Sequence, residues 1–199
     1  MRRIARENAL CALVALAFCA LIAYLGLESF QWSDYEHEVA PAFAALVHGH
    51  VSEFLRLAPA YGGSLVERAP FALLPGLWGG GALAVYRAAA VPCLLAVALL
   101  GVWLVARMRA EGRRWPTRAL ALLVCVANPM TLRALEIGHP EEILGACLCV
   151  AAVLLAADER PLWAGLALGL AVANKEWALL AVGPVLLALA PRRRRSCAA

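Results

Sequence analysis

Apolar residues run almost unbroken from 9 to 27, from 84 to 106, from 117 to 134 and from 143 to 157. About 20 apolar residues cross a bilayer as one helix, so these runs predict four spans. Asn128-Pro129 interrupts the third and predicts a kink, because proline lacks the amide donor a helix needs. Two further apolar stretches, 162–174 and 177–190, are too short to span comfortably. They flank Asn174-Lys175-Glu176 and read as the arms of a hairpin reaching into protein.

Between the first two spans lies the outer loop, 28–83, whose first part, 28–68, is the longest polar region. Apolar residues recur at helical spacing in Val39–His48 and Val51–Leu57, which predicts short helices lying at the membrane surface. Pro59, Gly62 and Gly63 break that pattern. Residues 69–83 are apolar but carry two prolines and four glycines, and predict a short helix rather than an independent span. The first apolar run follows a basic start, MRRIAREN, and is long for a signal peptide. No small-residue cleavage site follows it, so it is expected to be retained. The whole chain, 1–199, reads as a single all-α membrane domain: a polytopic transmembrane helical bundle.

Composition supports this. The chain is 63% hydrophobic, with a mean hydropathy of +0.75, whereas soluble domains are about 45–50% apolar. Six of the seven cysteines lie inside apolar runs and none forms a CxxC pair, which argues against a disulfide framework or a zinc site. Charge then orients the chain. Segments 1–8, 107–118, 158–161 and 191–199 hold 13 arginines against 4 acids. The other polar segments hold 5 basic residues against 10 acids. Basic loops face the cytoplasm. The expectation is therefore a multi-pass cell-membrane protein with a cytoplasmic N-terminus. The Arg192–Arg195 run is a cytoplasmic anchor that also attracts anionic lipid. Nothing in the pattern points to nucleic acid.

The outer face gathers three polar breaks: SDYEHE, GHPEE and NKE. Acids, a histidine and one lysine on one side are what an active site at a membrane surface needs. An acid can serve as general base on a hydroxyl, and a lysine or arginine can hold a phosphate. Each residue also has a plainer reading. Asp34 reads equally as a solvated loop charge. Glu141 and Glu142 suit the first turn of a helix, where acids are favoured, behind Pro140 at its start. Lys175 is either a phosphate ligand or a snorkelling side chain. His48-Gly49-His50 lacks an obvious acid partner and reads as a surface pair, so no metal site is indicated. In an extended chain Asp34, Glu36 and Glu38 would share one side, and any of the three could be the base.

Three passages resemble the N-terminal half of the GT-C superfamily of integral membrane glycosyltransferases, closest to its bacterial mannosyltransferase-like members. They are WSDYEHE at 32–38, EIGHPEEIL at 136–144 and GLALGLAVANKEWALL at 165–180. The resemblance implies a polyprenyl-phosphate-linked sugar, mannose among the options, as donor. It implies a glycan or lipid acceptor outside the cytoplasm. It selects Asp34 as catalytic base, with Glu36 beside it, and Glu141 or Glu142 as a second acid. Lys175 matches a lysine near the donor, and Arg68 is a looser phosphate contact. Such enzymes carry further spans, so the chain is expected to be a fragment, a truncated product or half of a split protein. A non-enzymatic transporter half or assembly subunit is the alternative. Transporters gather their polar groups near the midplane, which the surface clustering here does not suggest.

Overall fold

A computed structural model describes residues 2–28, 33–59 and 62–190. It contains helices and no strand among the described residues. Helix α1 covers Arg2–Glu28. Four short helices follow, α2 (Ser33–Glu38), α3 (Ala40–Val47), α4 (Val51–Leu57) and α5 (Gly63–Ala72). A 3-10 turn, Leu74–Trp78, leads into α6 (Ala82–Ala110). Then come α7 (Trp115–Val126), α8 (Pro129–Glu136), α9 (Pro140–Ala157) and α10 (Pro161–Asn174). A second 3-10 segment, Glu176–Ala181, precedes α11 (Val182–Leu189).

Four stretches are long and apolar enough to cross a membrane: Arg6–Gly26, Ala82–Ala110, Trp115–Glu136 and Pro140–Ala157. The third is two helices in line, α7 and α8. The break falls at Ala127-Asn128, where Asn128 caps α8 by accepting from the Met130 amide at 2.8 Å. The chain thus kinks where Asn128-Pro129 predicts it. At 29 residues, α6 is about 44 Å long and outreaches a hydrocarbon core of about 30 Å. Tyr86 lies near one of its ends and Arg107 and Arg109 at the other. The pieces of 69–83 differ from expectation. Residues 69–72 with Pro70 lie inside α5, Leu74–Trp78 form the 3-10 turn, and Ala82 already opens α6.

α6 is the axis of the bundle. α1, α7 and α9 pack around it, and α10 and α11 pack along α9. Small residues make the last contact close: Ala152, Ala156, Ala164 and Ala167 meet Val185 in one buried cluster. Bundles in lipid are held by such close approach rather than by water exclusion. The two ends differ in charge. At one, Arg107 binds Asp158 at 2.6 Å, and Arg118 and Arg109 pair with Glu7. The other end holds α2–α5, the start of α9 and the end of α10.

Candidate functional site

The site grows from the start of α9. Gly138 has φ +89°, and a Cβ there would sit 2.8 Å from the Tyr35 Cβ. Glycine therefore serves twice: it adopts the left-handed turn and admits α2 against the turn before α9. His139 follows as N-cap, Pro140 opens the helix, and Glu141 and Glu142 fill its first turn.

Glu141 is the centre. Its side chain is fully buried. One oxygen, Oε1, lies 2.9 Å from His139 Nδ1 and 3.4 Å from Lys175 Nζ. The other, Oε2, lies 3.2 Å from Arg68 Nη2. Its backbone carbonyl accepts from Asn174 Nδ2 at 2.7 Å. A buried carboxylate costs several kcal/mol unless paired, and here two cations and an imidazole surround it. An ionised carboxylate only accepts, so His139 Nδ1 carries the proton and donates. That bond raises the His139 pKa above the ordinary histidine value, against the opposing effect of its partial burial.

Two elements deliver the cations. Lys175 is the extended residue where α10 ends, with φ −154° and ψ 135°. Its Nζ also lies 3.1 Å from Glu142 Oε1, and Trp177 Nε1 donates to Glu142 Oε2 at 2.6 Å. Arg68 comes from α5. That helix approaches so closely that a Cβ on Gly63 would lie 2.3 Å from the Ala173 carbonyl oxygen. Arg68 is fully buried, donates from Nε to the Ser64 carbonyl at 3.0 Å and lies 5.6 Å from the Phe43 ring centre. It grips Glu141 from within and offers no exposed face to a phosphate. The neighbouring Glu67 has a buried oxygen, Oε1, without a hydrogen-bond partner among the described residues. Burial lifts its pKa to about 7, although Arg68 opposes the shift.

Asp34 stands at the rim. Its carboxylate is half exposed and Oδ2 lies 3.4 Å from His139 Nε2. α2 is a helix, not an extended strand, so the three acids do not share a side. Asp34 and Glu38 are four positions apart and lie on one face, and Glu38 also acts electrostatically on His139. Glu36 is exposed and points about 200° around the helix from Asp34. The structure thus joins Asp34, Glu141, Glu142, Lys175 and Arg68 and leaves Glu36 outside. His139, Asn174 and Trp177 complete the cluster without having been singled out. For His139 the sequence held a signal, its place at the helix start just before Pro140. Gln31, Trp32 and Arg192–Arg195 lie outside the described residues. His50 does have an acid neighbour, Glu53 at 3.5 Å, but no metal-binding group of three appears among the described residues.

Beside the cluster a cavity of about 650 Å³ opens between α6, α7, α8 and α9. Val97, Leu100, Val124, Cys147 and Val150 give it apolar walls, and His139, Glu142 and Arg133 its polar end.

The family model of glycosyltransferase family 87 matches residues 63–199. The chain belongs to glycosyltransferase family 87. No curated protein and no solved structure matches the chain. In this family 87 chain the matched stretch contains His139, the half-exposed Glu142 and the buried Arg68, Glu141, Asn174 and Lys175 of the cluster. Asp34 and Glu36 precede it. With four apolar spanning helices, this family 87 chain is a multi-pass membrane glycosyltransferase.

Proposed function

We propose that the cluster at the start of α9 is the sugar-transfer site, and that the donor is a sugar, mannose among the candidates, on a polyprenyl phosphate. The acceptor is a glycan or lipid hydroxyl on the extracytoplasmic side. Asp34 takes the hydroxyl proton, the hydroxyl oxygen bonds to the anomeric carbon, and the bond from that carbon to the phosphate oxygen breaks. Lys175 meets the charge left on the phosphate. Glu141 and Arg68 hold the frame and do not touch substrate. The apolar cavity takes the lipid chain, with its polar end at His139 and Glu142.

One observation carries this reading. A half-exposed carboxylate, Asp34, connects through His139 and Glu141 to a lysine near the mouth of an apolar cavity. The proposed base on α2 and the proposed phosphate ligand at the end of α10 both pair with residues at the start of α9.

The test is transfer of radiolabelled sugar from polyprenyl phosphate in membranes carrying the chain. Asp34→Asn is expected to lower transfer by roughly 100-fold or more while leaving protein level and donor binding intact. Glu36→Gln stays near the starting rate. Lys175→Met is expected to weaken donor binding by about 10–100-fold, the worth of one charge-assisted hydrogen bond. Lys175→Arg restores part of it, because a flat guanidinium does not reproduce an ammonium. Wild-type transfer by Asp34→Asn would remove that residue from the reaction.

A further inference from the structure

The hydrogen bonds around His139 leave one of its nitrogens with a defined task. Glu141 accepts the hydrogen bond from Nδ1–H, so a neutral imidazole presents a bare Nε2 lone pair, and that nitrogen faces Asp34 Oδ2 at 3.4 Å. Glu141 itself cannot turn away, because Arg68 holds its other oxygen and Asn174 its backbone. The tautomer is therefore fixed from beneath. The His139 side chain is 16% exposed, so a proton on it can still reach water.

We infer that His139 is a relay: it takes from Asp34 the proton that Asp34 removes from the acceptor, and so returns the base to its ionised form. The inference rests on Asp34 being that base. The proton passes from acceptor oxygen to Asp34 Oδ, then to Nε2, and leaves to water. Asp34 ends as it began, and the imidazolium formed meanwhile lies between two carboxylates. No other reactant is consumed. His139 acts through Asp34 and is a positioning residue, not one that touches the sugar.

The scheme fixes a pH dependence. A relay must start neutral. Already protonated, His139 cannot receive, and it ties Asp34 into an ion pair that lowers its basicity. The charged groups facing it are Asp34 and Glu38 on α2, Glu141 and Glu142 on α9, and Lys175 beyond α10. Arg133 on α8 shares its cavity, and Arg68 lies behind Glu141. Transfer should therefore fall on the acid side with a midpoint above the ordinary histidine value of 6.5.

Two measurements test this. The first is the pH profile of transfer. His139→Asn keeps a donor for Glu141 and removes Nε2. It should lower the plateau roughly 100-fold and move the acid limb down into the carboxylate range. His48→Gln, which alters an exposed histidine hydrogen-bonded to the Ala44 carbonyl of its own helix, should leave the profile unchanged. A lower plateau with the limb in place would mean a merely structural histidine and overturn the relay. The second measurement needs no turnover. In a chain with His37, His48 and His50 replaced by glutamine, acylation of His139 by diethyl pyrocarbonate is followed against pH. Asp34→Asn should lower its midpoint, and an unmoved midpoint would overturn the pairing. A lowered midpoint in a chain that transfers no sugar would leave the pair standing and sink the transfer reading instead.

Discussion

Glu67 shows at the scale of one residue what partial burial does to an acid beside the site. Its carboxyl is half-buried beside Arg68, and its folded pKa of about 7 lies above the reference 4.5. The folded chain therefore holds this proton more tightly than the unfolded one does. By linkage, stability from this group is greatest below about 4.5 and declines as pH rises through about 7. Glu67→Gln is accordingly expected to raise the thermal midpoint at pH 8 and to leave it nearly unchanged at pH 5. Water screens part of the effect because the group is only half covered. Scanning fluorimetry in detergent at the two pH values checks it, and equal midpoints for both chains at pH 8 would count against the burial. The contrast with Glu141 is instructive. Adjacent cations keep that fully buried acid charged, whereas Glu67 has Arg68 close by and still favours its proton.

At the scale of elements, the meeting of α2 and α9 depends on one glycine. Gly138→Ala forces a left-handed φ on a residue with a side chain and pushes a methyl into Tyr35. The expected cost is about 1–3 kcal/mol from backbone strain alone. The specific consequence is loss of the Asp34 effect on His139 acylation, because α2 is driven off the turn. Retention of that effect would show that the contact tolerates the methyl. Elements also show what a sequence can and cannot disclose. The spans, the kink at Asn128-Pro129 and the short helices α3 and α4 follow from local periodicity and proline chemistry, and they were legible. Glu141 and Lys175 were legible as candidates because a polar group in an apolar chain is conspicuous. The burial of Arg68 was not. It arises because Gly63 lets α5 close on α10, a contact between distant segments that leaves no periodic mark. The helical form of α2 was hidden for a related reason: six polar residues carry no hydrophobic period to read.

At the scale of the molecule, the two ends of the bundle carry opposite character, arginines paired around Glu7 and Asp158 at one and the Glu141 cluster at the other. We expect the arginine end inside the cell. In a cysteine-free background, single cysteines at Ser52 and Gly112 should react with an impermeant thiol reagent from opposite sides. Reaction of both from one side would sink this orientation. The long-range pairing of Arg68 with Glu141 also implies an order of manufacture. A chain enters the membrane from its N-terminus, so α5 emerges long before α9 exists. Until α9 arrives, the Arg68 guanidinium lacks the Glu141 carboxylate it pairs with in the finished bundle. The contact of α5 with α9 and α10 can therefore close only after those later helices are in place. The joint between the early and late parts of the chain is thus among the last to be made.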